Sequence, residues 1–303
     1  MPKLAFSTLA CPDWPLDRVL ERCCSYGYDG VEIRQILGQT DLLKVAALHP
    51  SQHSELRQRL ADGNIAICGL ASSVRFDYPE AAAREAQFDI GRAYVELAAA
   101  LGARFVRVFG DVLPSGPPAT RAAALEPIAD GLNRLGEFAG TMQVRVVLET
   151  HGDFSDSTVV AALMPRIQSP SVGILWDTHH PWKFFDEPLG QTWDRLRPWV
   201  WHTHWKDSVS RPAVPARESS TAHEQSSAST AAHALMSGHR EADYVLFGGG
   251  EFPAEECARL LKTSGYDGWL SLEWEKMWHP QLEVPEVALP LFANKMRALW
   301  ERL

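Results

Sequence analysis

The sequence predicts an α/β fold, specifically a (β/α)8 TIM barrel that forms a single domain with an insertion after strand seven. Short apolar segments alternate with longer amphipathic segments, which is typical of parallel strands joined by helices. Eight apolar segments occur in the 303 residues, a length that fits one barrel of about 250 residues plus an insertion. We therefore interpret residues 1–303 as one domain.

The predicted elements follow one another along the chain. The eight strands are expected at residues 4–8, 30–34, 65–70, 104–108, 144–149, 172–176, 200–206 and 269–273. A helix predicted over residues 79–101 ends before Gly102 and has one apolar face, formed by Ile90, Tyr94, Leu97 and Leu101. A last helix has the same spacing of apolar residues, at Phe292, Met296, Leu299 and Leu303.

Residues 208–245 interrupt the alternation of strands and helices. The segment is rich in Ser, Ala, Thr, His and Arg, and it lacks a helical or strand period until its end. We interpret it as an insertion that forms a lid or a mobile loop. The alternative that the sequence leaves open is that this segment is a disordered loop without a functional role.

Composition and charge argue against several classes of protein. With 29 Lys and Arg against 38 Asp and Glu, the net charge is −9, and the absence of a basic run argues against a nucleic-acid partner. The five cysteines include no C-x-x-C pair, so we expect neither disulfides nor a zinc ribbon, and we predict a cytoplasmic location. No export signal or membrane segment is recognisable. The sequence allows a homo-oligomer but does not determine the oligomeric state.

Four predicted strands end with a side chain that can bind a metal ion. These side chains are Glu149 in VVLETHG, Asp177 in ILWDTHH, His204 in WHTHWKD and Glu273 in LSLEWE. The intervals between them are 28, 27 and 69 residues, and the last becomes 31 without the 38 residues of the predicted insertion. Each interval equals one strand–helix unit of about 30 residues, which predicts equivalent heights on four successive strands.

The carboxyl ends of barrel strands form the rim on which active sites are built. Three carboxylates and one imidazole that converge there would form an oxygen-rich site for a divalent metal ion. Such a site favours Mn²⁺, with Mg²⁺, Co²⁺ or catalytic Zn²⁺ as alternatives, over the thiolate sites of structural zinc.

The motifs of the chain resemble those of the sugar phosphate isomerase/epimerase family in the xylose isomerase-like TIM barrel superfamily. This group includes ketose 3-epimerases, hydroxypyruvate isomerases and inosose dehydratases. The resemblance covers nearly the whole chain, at DGVEIR around Glu32, the E-x-H of Glu149 and His151, the D-T-x-H of Asp177 and His180, the H-x-H-x-K-D of residues 202–207, and SGYDGWLSLEWE.

The resemblance implies a divalent metal ion held by Glu149, Asp177, His204 and Glu273, with His151 and His180 reaching the substrate. The sequence departs from the usual pattern in its insertion and at His179, where many relatives have Gly. Both departures lie where substrate selectivity would be decided, so the resemblance does not imply that this protein acts on the substrate of any one member.

A site of this kind can support several reactions of a carbohydrate. A divalent cation that chelates a carbonyl oxygen and a neighbouring hydroxyl stabilises an enediolate, and Glu149 and Glu273 are the candidate bases. The leading hypothesis is an isomerase or epimerase of a small ketose or keto-polyol. A lyase or dehydratase that acts by β-elimination on a keto-sugar or inosose is the alternative. A non-catalytic sugar-binding barrel and an abasic-site endonuclease are less favoured, and the acidic charge opposes the latter.

The sequence also suggests roles in the site for other residues near the strand ends. Lys206 is expected to pair with Glu273 or a substrate oxygen, and a Schiff-base role is less favoured. Trp14 and Trp182 are expected to line the pocket, because indole rings stack well on sugars. His202 is expected to orient His204.

Two further features receive structural interpretations. We expect Glu32 to be a structural acid paired with Arg34. Residues 248–250, three consecutive glycines, lack the Lys-Ser/Thr of a phosphate-binding loop, and we expect a flexible turn before the next helix.

Overall fold

Eight parallel strands close into a barrel in the computed structural model, which describes residues 2–210 and 242–303. The barrel strands are β1 (Lys3–Ser7), β2 (Gly30–Ile33), β3 (Ala66–Arg75), β4 (Phe105–Phe109), β5 (Arg145–Glu149), β6 (Val172–Asp177), β7 (Val200–Trp205) and β10 (Trp269–Leu272). Two short strands, β8 (Ser208–Ser210) and β9 (Ala242–Tyr244), lie outside the barrel. Around the barrel the order is β1, β10, β7, β6, β5, β4, β3, β2. The predicted fold class is therefore confirmed.

Helices alternate with the strands and pack against the barrel. They are α1 (Leu16–Ser25), α2 (His53–Asp62), α3 (Ala81–Leu101), α4 (Pro118–Thr141), α5 (Ser157–Leu163), α6 (His180–Phe185), α7 (Leu189–Leu196), α8 (Ala254–Thr263) and α9 (Pro285–Arg302). Gly102 ends α3 with a left-handed φ of +75°, as the sequence predicts. None of the helices in the described part of the chain has the length and apolar character needed to cross a lipid bilayer.

The predicted buried face of α3 is confirmed at Tyr94, Leu97 and Leu101 and is wrong at Ile90. Ile90 is 41% exposed, whereas Gly91, Tyr94 and Val95 are buried. The reason is a close approach to α4, where a Cβ at Gly91 would lie 2.9 Å from a methyl group of Leu135. A glycine at the contact turns the neighbouring position towards solvent.

The barrel encloses an apolar floor below the strand ends. Six buried side chains form this inner cluster, namely Ala5, Cys68, Phe105, Val147, Leu175 and Trp269. The ring of Phe105 lies 5.7 Å from that of His202, so the cluster reaches the polar residues above it. A larger apolar cluster fills the space between barrel and helices.

The two described ends of the predicted insertion pair with each other. β8 and β9 are antiparallel, with Ser208 opposite Tyr244 and Ser210 opposite Ala242. Sequence analysis did not predict these strands, since three residues are too few to show a period. Residues 211–241 lie outside the described residues, and the expectation of a lid or loop stays a prediction.

The three glycines at residues 248–250 form a turn that is bound by a carboxylate of the chain itself. Oδ2 of Asp207 accepts from the amides of Gly248 (2.8 Å) and Gly250 (3.0 Å), and Oδ1 from those of Ser208 (2.9 Å) and Phe252 (3.0 Å). Because these donors are occupied, the turn anchors the returning chain to the end of β7. The anion-binding loop that sequence analysis disfavoured is not formed.

Candidate metal centre

Four side chains converge at the carboxyl ends of the strands, as the intervals predict. One ligand atom each of Glu149, Asp177, His204 and Glu273 lies within 4.8 Å of the others, and all four residues are buried. In register, Glu149 is paired with Leu175, two residues before Asp177, whereas Asp177 is paired directly with His204. Such offsets are expected, because strands in an eight-stranded barrel are tilted and staggered with a shear of about eight.

The donor atoms of this cluster fit a divalent metal ion. Nδ1 of His204 lies 3.4 Å from Oε1 of Glu149 and 3.4 Å from Oε2 of Glu273. This nitrogen, Oε2 of Glu149 and Oδ2 of Asp177 are buried, and the two oxygens face cationic groups, Nη1 of Arg107 at 3.1 Å and Nζ of Lys206 at 2.9 Å. Oxygen and imidazole donors around one point suit Mn²⁺, Mg²⁺, Co²⁺ or Zn²⁺.

Glu32 orients the imidazole of the cluster. Nε2 of His204 lies 3.0 Å from both carboxylate oxygens of Glu32, and Nε2 of His202 lies 2.6 Å from Oε2. The Nε2–H group of His204 donates a hydrogen bond to this carboxylate, and the other ring nitrogen, Nδ1, faces the cluster. His202 therefore acts on His204 through Glu32 rather than directly.

The expected pairing of Glu32 with Arg34 is wrong. The carboxylate of Glu32 is bound by His202 and His204. Arg34 instead donates from Nη2 to Oγ of Ser73, at 2.8 Å. Burial raises the pKa of Glu32, but the charge of His204 and the hydrogen bonds from both histidines outweigh burial and lower it.

The carboxylates also determine the ionisation of His204. Burial lowers the pKa of this imidazole, but the negative charges of Glu273, Glu32 and Glu149 outweigh burial and raise the pKa well above its usual range. The cluster thus attracts positive charge strongly, which is the property that a cation site requires.

Arg107 is a partner of Glu149 that the sequence analysis missed. Its Nη1 lies 3.1 Å from Oε2 of Glu149, and its guanidinium is 3.9 Å from the ring centre of Phe109. Burial raises the pKa of Glu149 and Arg107 lowers it, with a net decrease. The available signal was an arginine in the middle of the apolar strand FVRVF, since charged residues are rarely buried without a partner.

Lys206 makes the expected ion pair with Glu273 and has further partners. Its Nζ lies 2.6 Å from Oε2 of Glu273, 2.9 Å from Oε1 of Glu275, 2.9 Å from Oδ2 of Asp177 and 3.1 Å from Nε2 of His180. Burial lowers the pKa of Lys206, but these carboxylates raise it well above its usual range. A permanently charged amine is unsuited to Schiff-base formation, which needs the neutral form.

The two other carboxyl groups of the cluster respond differently to these surroundings. Burial raises the pKa of Glu273, but the charges of His204 and Lys206 lower it well below its usual range. For Asp177, burial raises the pKa to about 6, because the nearby carboxylates Glu273 and Glu149 add to burial and Lys206 offsets only part of it. The pKa values of these two carboxyl groups therefore shift in opposite directions.

His151 and His180 lie next to each other at the edge of the cluster. Their ring centres are 5.6 Å apart. Nδ1 of His151 lies 2.7 Å from Oδ1 of Asp111, and Nδ1 of His180 lies 3.0 Å from the carbonyl oxygen of Thr150. Asp111, which has a left-handed φ of +54°, was not found by sequence analysis. The substrate contacts of both histidines stay a prediction.

The two predicted tryptophans occupy different surroundings. Trp14 is buried in the outer apolar cluster, with the guanidinium of Arg18 4.6 Å from its ring centre. Trp182 is half-buried, with ring centres 5.6 Å from His179 and 5.5 Å from Phe252. Their expected role in lining the pocket stays a prediction.

The returning strand of the hairpin also reaches the cluster. Nζ of Lys206 lies 5.7 Å from the ring centre of Tyr244, and this ring is 5.9 Å from His179. The described ends of the predicted insertion are therefore part of the wall beside Lys206.

The comparisons with known proteins agree with this architecture. Residues 20–291 match the family described as xylose isomerase-like TIM barrel. An inosose dehydratase of Lacticaseibacillus casei is 25% identical over 153 residues, which are 50% of this chain and 47% of that protein. One of Clostridium botulinum is 27% identical over 169 residues, 54% of this chain and 49% of that protein. The chain thus spans about half the length of these curated relatives.

Solved structures share the fold at low sequence identity. The probable 3-DHS dehydratase involved in petrobactin synthesis from Bacillus anthracis has a TM-score of 0.72 at 17% identity, over 99% of this chain and 100% of that one. An L-ribulose 3-epimerase has a TM-score of 0.73 at 15% identity, with 100% and 95% covered. The IOLI protein with a bound zinc atom has a TM-score of 0.71 at 18% identity, with 99% and 98% covered. Since the family match covers most of the chain, this protein belongs to the xylose isomerase-like TIM barrel family.

Proposed function

We propose that the protein is a divalent-metal-dependent isomerase or epimerase of a small ketose or keto-polyol. One observation carries the proposal. Glu149 and Glu273 both lie 3.4 Å from Nδ1 of His204 in a buried cluster, and each has its own cationic partner, Arg107 and Lys206 respectively. Two ionised carboxylates at one centre are suited to removing and returning a proton next to a carbonyl.

The metal ion would be held by Glu149, Asp177, His204 and Glu273. Bound there, a divalent cation would polarise the carbonyl and stabilise the negative charge of an enediolate. The zinc-bound solved neighbour supports a divalent ion in this fold. We propose Mn²⁺ as the native ion because three of the four donors are carboxylates, with Zn²⁺, Mg²⁺ and Co²⁺ as alternatives.

The protein residues supply the proton transfers. The lowered pKa values of Glu149 and Glu273 keep both carboxylates ionised at neutral pH, so either can accept a proton from carbon. If the two act on opposite faces of the substrate, the product is an epimer. If one of them moves the proton between adjacent carbons, the product is an isomer. Arg107 and Lys206 would balance the charge that changes during each transfer.

Dehydration is a second candidate, and a specific observation favours it. The ammonium of Lys206 lies 3.1 Å from Nε2 of His180 and 2.6 Å from Glu273. A cation next to the carboxylate base could assist departure of a hydroxyl β to the acidified carbon. The curated relatives named inosose dehydratase support the same outcome.

One experiment tests both candidates. Mn²⁺-loaded protein is incubated in heavy water with ketoses, inososes and 3-keto-glycosides, and proton NMR follows exchange, inversion and loss of water. Exchange with an inverted or isomerised product supports the first candidate, and an unsaturated product supports the second. If every substrate keeps its proton, or if Glu149→Gln exchanges as fast as the wild type, the proposal is wrong.

The wider setting is part of the proposal. A small carbohydrate is the partner that the site suits, and a cytoplasmic location is consistent with the five cysteines, all of them free. The net charge of −9 disfavours a nucleic acid as substrate.

A further inference from the structure

Two arginines lie in one row at the rim of the barrel. Ile33 is paired with Leu70, and Ala71 is paired with Arg107, so that Arg34, the residue after β2, continues the row formed by Ala71 on β3 and Arg107 on β4. Alternation along a strand places Arg34 on the same side as Glu32, which faces the metal cluster. The side chain between the arginines in this row is only the methyl group of Ala71.

Neither guanidinium group has a carboxylate of its own, because Arg34 makes no ion pair within the described ranges and Arg107 shares Glu149 with the metal cluster. Arg34 is 8% exposed and donates only to Oγ of Ser73 (2.8 Å) and the carbonyl of Thr40 (3.4 Å), with no ion pair within the described ranges. Arg107 is 3% exposed, its Nε donates no hydrogen bond within the described ranges, and its Nη1 lies 3.1 Å from Oε2 of Glu149. Its ion-pair partner, Glu149, also belongs to the metal cluster.

This arrangement is electrostatically unfavourable without an anion. Burial and the charge of Arg107 lower the pKa of Arg34 to about 10, while Glu273 and Glu149 offset only part of this decrease. Buried charges are retained in proteins when they are paired or when function requires them. An anion next to both guanidinium groups would provide the missing partner.

We propose that the substrate carries an anionic oxygen group, a carboxylate or a phosphate, which binds to Arg34 and Arg107 while its carbonyl end lies at the metal cluster. Guanidinium groups bind such anions in a bidentate manner, which orients the ligand as well as holding it. The inference rests on the proposed function, because it specifies the substrate class of the same site.

The test compares three keto-sugars that differ in charge. Isothermal titration calorimetry on Mn²⁺-loaded protein measures binding of neutral D-fructose, D-fructose 6-phosphate and 5-keto-D-gluconate. Each compound is also tested for proton exchange in heavy water. The variants are Arg34→Gln, Arg34→Lys, which retains the charge, and Ser73→Ala, which removes only the hydrogen-bond partner.

We expect at least one anionic compound to bind the wild type about 10- to 100-fold more tightly than D-fructose, the effect of one charged hydrogen-bonding contact. Arg34→Gln should abolish this preference, whereas Arg34→Lys should retain part of it and Ser73→Ala most of it. The compound that shows the preference identifies carboxylate or phosphate as the group.

Two results would overturn the inference. One is equal affinity of the wild type for all three compounds, a comparison that does not depend on any variant folding. The other is a preference that survives in folded Arg34→Gln protein. If an anionic compound binds through Arg34 but no compound exchanges its proton, the anion site stands and the proposed function is the part that fails.

Discussion

Replacing Glu273 by Gln tests whether this carboxylate is a metal ligand and a base. The side chain is 5% exposed, and its Oε2 lies 3.4 Å from Nδ1 of His204 and 2.6 Å from Nζ of Lys206. The amide is isosteric but cannot accept a proton from carbon. Loss of a general base reduces turnover by about 10²- to 10⁴-fold, which corresponds to about 2.7–5.4 kcal/mol in the barrier. The assay is proton exchange in heavy water, with bound metal measured by mass spectrometry.

Glu275 provides a matched control for this substitution. It has the same chemical type, is also 5% exposed, and contacts the same ammonium, with Oε1 2.9 Å from Nζ of Lys206. It does not belong to the four-residue cluster. Glu275→Gln should therefore change the exchange rate less than about tenfold, since it removes only one partner of the lysine. Equal losses in the two variants would refute the assignment and attribute the effect to Lys206 alone.

Three further predictions address the surroundings of the cluster. Glu32→Gln should weaken metal binding about 10- to 100-fold in a chelator competition, because it removes the carboxylate that orients His204; unchanged affinity would mean that this contact has no such role. Adding Mn²⁺ at 100 times its dissociation constant should raise the free energy of unfolding by about 2.7 kcal/mol, and excess EDTA should reverse the rise in melting temperature; a melting temperature insensitive to both would contradict the site. Asp207→Asn should lower the free energy of unfolding by about 1–3 kcal/mol in a denaturant titration, because an NH2 group replaces one carboxylate oxygen and then faces backbone N–H donors; wild-type stability would show that the turn does not depend on this carboxylate.

The convergence of the four side chains could be predicted because their positions follow the strand period. Glu149 ends β5 and Asp177 ends β6, so each lies at the rim by virtue of its place in the chain. The interval of one strand–helix unit then identifies the remaining members. This reasoning needs only the fold class and the order of strands, and both can be read from alternating apolar segments.

Contacts between strands that are distant in sequence could not be predicted in this way. Glu32 and His202 are 170 residues apart and meet only because the barrel closes between its first and last strands. Register shifts, such as the one between Val31 and Glu32, determine which side chains of neighbouring strands lie at the same height in the barrel. The amino-acid sequence does not reveal these shifts. Sequence analysis therefore assigned Glu32 to Arg34, its neighbour along the strand.

At the end of β7, consecutive polar residues point to opposite sides of the strand and make different contacts. His202, His204 and Lys206 have the same parity and point into the barrel, where they contact Glu32 or the cluster carboxylates. Asp207 has the opposite parity and binds the glycine turn after β9 instead. Because the next residue along the chain anchors the returning segment, the position of Lys206 and the wall formed by Tyr244 depend on each other. A change at Asp207 should thus alter both stability and the geometry around Lys206, although the hydrogen bonds of its carboxylate go to backbone amides of Ser208, Gly248, Gly250 and Phe252.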